Sequence, residues 1–179
     1  MKSNLVGGGN NRNDFDFYST PSWVTEALFE REKFEGKVWE CASGSGFMSK
    51  VIEKYYKCRS SDIRGGNDVY GEKGLDFLMT SIEPVENIIT NPPYVIAQDF
   101  IEKAKIQATN KIAMLLKLNF LEGIGRYQMF KDKFFPLKCV YIFCKRVSFE
   151  NKGSSGMLAY AWYVWEKNYQ EKPYLDWIL

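Results

Sequence analysis

The sequence predicts an α/β fold: a doubly wound, mostly parallel sheet of seven strands with an antiparallel final pair. Two observations carry that prediction. Short apolar runs of strand length alternate with stretches of helical spacing, and the turns between them fall on glycines, prolines and asparagines. The 179 residues, 45% hydrophobic and 26% charged, suit one domain. A chain of this size buries about 70% of its unfolded surface and needs no staples.

The elements follow in order. Asn- and Gly-rich residues within 1–14 predict a flexible lead, and Phe15, Phe17 and Tyr18 the first anchors of a single domain over 15–179. Thr20 is the expected N-cap and Pro21 the first residue of a helix whose stripe of Trp23, Ala27 and Leu28 runs to about Arg31. After Gly36, residues Lys37 to Ala42 read as a buried strand entering the turn Ser43-Gly44-Ser45-Gly46, and Phe47, Val51, Ile52 and Tyr55 have helical spacing. Lys57 to Ile63 is a second strand, Gly74 to Met79 includes a short third, and Asn87 to Thr90 is a fourth that stops at Asn91-Pro92-Pro93-Tyr94. Ala97 to Ala108 is helical, Ile112 to Leu118 a fifth strand and Gly125 to Lys133 a helix. Val140 to Phe149 and Met157 to Trp165 are the last two strands, around a turn at Gly153 to Gly156.

Composition excludes several chemistries. With no histidine, the chain builds no Ser/His/Asp or Cys/His catalytic unit and no imidazole metal site. Cys41, Cys58, Cys139 and Cys144 form no Cys-x-x-Cys pair and each falls in a run that reads as buried strand, so reduced core thiols are expected, with no metal. No apolar stretch approaches the roughly 20 residues that span a bilayer. The amino terminus is unlike a secretion signal, and a cytoplasmic protein is expected. Net charge is only +2, yet residues 111–152 carry nine Lys/Arg against three Asp/Glu. Phe120, Tyr127, Phe130, Phe134, Phe135, Tyr141, Phe143 and Phe149 are interleaved there. That mixture suits phosphate contacts beside base stacking, and it equally suits strand core with solvated edges.

In open α/β sheets ligands bind at the carboxyl ends of the strands. Here those ends carry Cys41 to Gly46, Asp62, Asp76 and Asn91 to Tyr94. Gly44 and Gly46 allow a backbone to approach a ligand closely, although a plain tight turn uses the same residues. A dinucleotide fingerprint would need glycine where Ser49 stands, which counts against a nicotinamide or flavin enzyme. Asp62 is placed to accept from a ribose diol or to cap a turn. Asn91-Pro92-Pro93-Tyr94 is the most informative tetrapeptide. Two prolines fix the backbone and leave carbonyls without neighbouring amide donors. The Asn91 amide oxygen and the Pro92 carbonyl then accept from one exocyclic amino group while Tyr94 offers a ring for stacking. A structural double-proline turn is the alternative.

Taken together, Phe17 to Pro21, Glu40 to Gly46, Asp62-Ile63, Asp76-Phe77 and Asn91 to Tyr94 resemble, in order and spacing, the S-adenosylmethionine-dependent amino-methyltransferases, especially small phage-type DNA adenine-N6 methyltransferases. The similarity runs from about Phe15 to the end of the chain. It implies the Rossmann-like class I methyltransferase fold. By that resemblance Tyr18 and Thr20 lie near the methionine part of the cofactor S-adenosylmethionine, with Glu40, Ala42, Gly44 and Gly46 along its backbone. Asp62 holds the ribose, Ile63 and Phe77 flank the cofactor adenine and Asp76 accepts from its amino group. Asn91, Pro92 and Tyr94 hold the target base, and Asn119 and Phe120 line the far side of its pocket. The partner implied is nucleic acid, DNA ahead of RNA, gripped by Lys117, Arg126, Lys131, Lys133, Lys145 and Arg146 of the basic segment. Relatives with this motif also modify ribosomal RNA or a release-factor glutamine, and those readings stay open. The chain has no room for a separate target-recognition domain.

Overall fold

Strands buried on both faces need apolar side chains at successive positions, and the centre of this chain supplies them. The computed structural model describes residues 19–149 and 158–179. The anticipated lead 1–14, Phe15, Phe17, Tyr18, the turn Gly153 to Gly156 and Met157 lie outside them.

Helix α1 (Ser22–Phe29) leads to β1 (Val38–Glu40), α2 (Phe47–Ile52), β2 (Cys58–Asp62), β3 (Glu72–Lys73) and β4 (Val85–Thr90). A 3₁₀ turn at Tyr94–Ile96 opens into α3 (Ala97–Gln107), which feeds β5 (Ala108–Lys117) directly. Two 3₁₀ turns (Leu118–Leu121 and Ile124–Arg126) and the single turn α4 (Tyr127–Phe130) precede β6 (Leu137–Phe143), β7 (Tyr160–Glu166) and β8 (Tyr174–Ile178). The sheet order is β3-β2-β1-β4-β5-β7-β6-β8. Only β7 is reversed, pairing antiparallel with β5 and β6, while β8 lies parallel to β6.

Alternation along β5 and β7 divides the core in two. Ile112, Met114, Leu116, Ala161, Tyr163 and Trp165 face α3 and α4. Ala113, Leu115, Tyr160, Trp162 and Val164 face α1 and α2. Each fully buried aliphatic or aromatic side chain contributes about 1.5–3 kcal/mol. The three-layer sandwich therefore fixes the central strands firmly enough to place their carboxyl ends.

Several expectations are corrected. Among the described residues the sheet has eight strands rather than seven, because Tyr174–Ile178 adds an edge strand after Pro173. The third strand is Glu72–Lys73, and residues 74–79 form loop and turn instead. Pro21, with extended φ −58° and ψ 142°, takes the N-cap position of α1, so Thr20 precedes the cap. The helix foreseen over 125–133 is a 3₁₀ turn and one α-turn. Gly123 and Gly125 disfavour helix, and Asp132 ends it by accepting from the N–H groups of Phe134 and Phe135. Cys144 is exposed on a bend past β6 rather than buried in a strand, Cys58 is half-buried, and all four thiols are free. Burial pushes the Cys58 thiol up to about 12 and that of Cys41 far above its ordinary range, so neither is a thiolate near neutrality.

The outer edge of β8 is already engaged. The Ile178 carbonyl accepts from the Cys144 N–H toward β6, so Trp177 turns its own amide groups outward. Asp176 Oδ1 accepts the Trp177 N–H at 2.8 Å and Arg31 donates to the Trp177 carbonyl at 3.4 Å. Such an edge offers little to a further strand.

At the amino-terminal edge of the central strands, Glu32 is 2% exposed and receives Lys111 (2.8 Å), Lys138 (2.9 Å) and the Tyr141 hydroxyl (2.8 Å). Glu166 closes the ring, 3.3 Å from Lys111 and 2.9 Å from Lys138. Burial opposes the Glu32 charge, but these donors outweigh it and hold the carboxyl below its ordinary value. A carboxyl depressed by folding stabilises above its unfolded pKa and loses that contribution as pH falls through the folded value. Glu32→Gln should therefore cost roughly 1–3 kcal/mol at pH 7, since it leaves Lys111 and Lys138 to share Glu166 and removes the charged acceptor of the buried Tyr141 hydroxyl. Urea titrations at pH 7 and pH 3 check this, because the gap between variant and parent should shrink in acid.

Candidate active site

The parallel register sets Glu40 beside Ser60 and Trp39 beside Ile88, so the loops after β1, β2 and β4 emerge along one edge of the sheet. Asp62 stitches two of them together. Its Oδ2 accepts the Gly44 N–H at 2.7 Å, and its Oδ1 accepts the Arg64 N–H at 2.9 Å and Arg64 Nε at 3.1 Å. Next to this buried carboxylate Ile63 stands 53% exposed, an apolar surface just past the carboxyl end of β2. Asp76 is half-buried and its Oδ1 accepts the Leu78 N–H at 2.9 Å. Phe77 lies deeper, 2% exposed, packed edge-on to Trp39 and tilted against Phe100.

The glycine turn has a partner that sequence reasoning missed. The Tyr70 N–H donates to the Gly44 carbonyl and the Ser43 hydroxyl donates to the Tyr70 carbonyl. Gly46 adopts φ +80°, and a Cβ there would sit 2.4 Å from the Tyr70 ring. The tight approach at Gly46 is thus to an aromatic ring of this chain. An aromatic after a Gly-Gly-Asn run was a faint signal for such a fold-back.

Glu40 and Ala42 lie beneath the turn. Ala42 is half-buried, whereas Glu40 is 1% exposed and accepts a short hydrogen bond from the Ser49 hydroxyl of α2. Burial raises the Glu40 carboxyl to about 8, with nearby Asp62 adding to the rise. It is mostly a neutral acid at pH 7, held inside the sheet layer. Its burial agrees with the buried strand expected over Lys37 to Ala42, whereas its Ser49 partner was not legible from sequence.

At the end of β4, Asn91 Nδ2 donates to the Thr20 hydroxyl at 3.1 Å. That bond orients the amide and leaves Asn91 Oδ1 buried with no hydrogen-bond donor among the described residues. Pro92 is buried, and Pro93 (φ −57°, ψ 121°) turns the chain into the 3₁₀ segment that begins at Tyr94. The Tyr94 ring lies 5.7 Å from the Tyr160 ring, and Lys117 Nζ sits 4.7 Å from its centroid. Thr20, Asn91, Tyr94 and Lys117 thus come together, as do Gly44, Asp62 and Ile63. Tyr18 lies outside the described residues.

Beyond β5 a cleft of about 410 Å³ is lined by Leu118, Asn119, Leu121, Glu122, Leu158 and Ala159. Phe120 is 8% exposed and supports this floor from the core, 5.8 Å from the Tyr163 ring. Arg126 lies over the Phe120 ring and donates to the carbonyls of Phe120 and Glu122, fixing the loop. The expected phosphate-gripping set divides. Lys117, Arg126, Lys145 and Arg146 follow the carboxyl ends of β5 and β6, with Lys145 Nζ 4.9 Å from the Trp23 ring. Lys131 and Lys133 instead flank Asp132, which pairs at 2.8 Å with Lys105 in the last turn of α3. The segment after α4 returns toward the amino-terminal edge of the sheet, which carries those two lysines away from the cleft.

This geometry can be set beside solved structures. A protein assigned as an RNA methyltransferase from Pyrococcus horikoshii superposes with a TM-score of 0.67 at 14% identity, covering 91% of this chain and 92% of that one. A protein assigned as a class I S-adenosylmethionine-dependent methyltransferase from Listeria monocytogenes gives 0.61 at 13%, covering 87% and 62%. The fold is that of the class I methyltransferases. The modification subunit of a protein assigned as a type I restriction enzyme from Vibrio vulnificus also gives 0.61 at 13%, covering 92% of this chain. This chain spans 46% of that subunit's length. No family model and no curated protein matches the sequence. No metal-holding group of His, Cys, Asp and Glu occurs among the described residues, and no helix among them is long and apolar enough to cross a membrane.

Because folding raises the Glu40 pKa, its contribution to stability is complete below the unfolded value and declines as pH rises toward about 8. Chemical denaturation between pH 5 and pH 8.5 should show the parent losing stability relative to Glu40→Gln. Gly46→Ala should cost about 1–3 kcal/mol, from a strained positive φ and displacement of Tyr70, read as a lower urea midpoint.

Proposed function

We propose that this chain transfers a methyl group from S-adenosylmethionine to the exocyclic N6 amine of adenine in DNA. The observation that carries the reading is Asn91, whose amide is turned by Thr20 so that a buried carbonyl oxygen has no donor among the described residues. An acceptor left in that state costs about 1–3 kcal/mol, which a ligand N–H group would recover.

The donor side fits a nucleoside without phosphates. Asp76, and the lone pairs that Asp62 keeps beyond its Gly44 and Arg64 bonds, would accept from amino and hydroxyl donors, and Ile63 offers an exposed apolar surface for a ring. Bound there, S-adenosylmethionine supplies an electrophilic methyl. Thr20 and the turn through Gly44 and Gly46 border the methionine end, with neutral Glu40 below. Tyr18 belongs to the same proposed contact set by resemblance.

The acceptor nitrogen is a weak nucleophile because its lone pair is delocalised into the ring. Asn91 Oδ1 and the Pro92 carbonyl, both aimed at its N–H groups, stabilise the geometry in which that lone pair localises. Tyr94 holds the ring by stacking, and Lys117 moves off the Tyr94 face or adds its charge beside the base. Positioning supplies much of the remaining acceleration, and no imidazole base is needed. Lys117, Arg126, Lys145 and Arg146 serve the phosphates, while Asn119 and Phe120 form the far wall.

A second reading, adenine in RNA, is favoured by the likeness over nearly the whole of both chains to a protein assigned as an RNA methyltransferase.

Asn91→Ala should lower turnover about a hundredfold or more with cofactor affinity nearly intact. Calorimetry with S-adenosylhomocysteine beside a tritium-transfer assay checks it. Joint loss of affinity and turnover in a folded variant would move the acceptor site elsewhere.

A further inference from the structure

Past Lys117 the chain leaves the sheet and carries Ile124 on a tip between Gly123 and Gly125. Ile124 is 96% exposed, one of the most exposed large apolar side chains among the described residues. Burying such a group is favourable, and leaving it in water on a glycine-flanked tip gives the fold nothing. The tip is nevertheless held firmly. Gly123 adopts φ +129°, a conformation that favours glycine, and the Arg126 N–H donates to the Gly123 carbonyl at 3.1 Å. The Arg126 guanidinium lies 4.4 Å from the Phe120 ring centroid and binds the carbonyls of Phe120 and Glu122. An exposed isoleucine on a braced loop is preorganised for an apolar gap in a partner.

Its surroundings indicate which partner. Leu121 and Leu158, 39% and 46% exposed, border the adjoining cleft, and Leu118 is tied to Ala159 by a 2.8 Å hydrogen bond. The next residue pair along the same two strands is Lys117 with Tyr160, which both contact Tyr94. The segment that carries the tip therefore leaves the sheet at the same carboxyl-end rim as the Asn-Pro-Pro-Tyr platform. Lys117 and Arg126 flank it with positive charge, against the single carboxylate of Glu122.

We propose that Ile124 is a wedge that enters a nucleic-acid duplex and fills the space left when the target base turns out of the stack. The proposal rests on the reading of the site as a base methyltransferase and adds that its substrate is double-stranded. Apolar side chains inserted between base steps offset lost stacking, and a base inside a duplex reaches a pocket only by turning out. A single-stranded substrate has no stack to hold open and would make no use of the residue.

The test compares the full chain with Ile124→Ala and Ile124→Leu on unmethylated genomic DNA, native and heat-denatured, using tritiated S-adenosylmethionine. Ile124→Ala should lower transfer to native DNA at least tenfold and leave transfer to denatured DNA within twofold. Ile124→Leu should retain most native activity, and all three proteins should share one melting temperature. The wedge is overturned if Ile124→Ala methylates native DNA like the parent, if both activities fall together, or if the parent accepts only denatured DNA. A parent inert on both would instead overturn the site reading on which the wedge rests.

Discussion

Everything at the candidate site depends on one constraint, the parallel register of β2, β1 and β4. Burial on both faces locks that register, because a shift by one residue would turn Trp39, Ile88 and Ile89 toward the wrong layers. Three loops from distant parts of the sequence are thereby brought to one edge. The Asp62 bond to Gly44 and the Asn91 bond to Thr20, 71 residues away, then set their mutual positions. The chemistry proposed for the site needs little beyond that positioning.

Charge is divided along the strand direction. Lys111 and Lys138 supply part of the positive excess of segment 111–152, but Glu32 and Glu166 consume it at the amino-terminal edge. Lys117, Arg126, Lys145 and Arg146 remain at the carboxyl edge. There, three of them lie against aromatic rings, Lys117 on Tyr94, Arg126 on Phe120 and Lys145 on Trp23. For Lys117 and Lys145 such contacts are worth about 0.5–1 kcal/mol each, weak enough to be exchanged for phosphates, whereas Arg126 is also held by the Phe120 and Glu122 carbonyls.

Legibility followed the range of the interactions concerned. The central strands and the long helix α3 were readable because alternation and helical spacing are local, and the residues after β1, β2 and β4 followed once the doubly wound order was inferred. Asp76, by contrast, lies in a turn past β3 and not at the end of a strand within 74–79. The edge strands were not readable. Glu72–Lys73 is exposed and polar, and in Tyr174–Ile178 only Ile178 is buried, so neither displays a core-facing pattern. Thr20 has the chemistry of an N-cap, yet its hydroxyl is taken by Asn91 and the cap position by Pro21. The Tyr70 ring against Gly46 and the Ser49 bond to Glu40 arise from loop closure and burial, which no short-range pattern encodes. For Lys131 and Lys133 composition gave the charge but not the path of the chain that carries them off the cleft edge.

In the proposed reaction Asn91, Pro92 and Tyr94 present a planar amine to a methyl donor held at Asp62. Its most direct test is the product. Unmethylated DNA and RNA would be incubated separately with the protein and S-adenosylmethionine, digested to nucleosides and resolved by mass spectrometry. N6-methyladenine should appear in the DNA digest. Methylation confined to a ring carbon or ring nitrogen, or no methylated nucleoside in either digest, would contradict it.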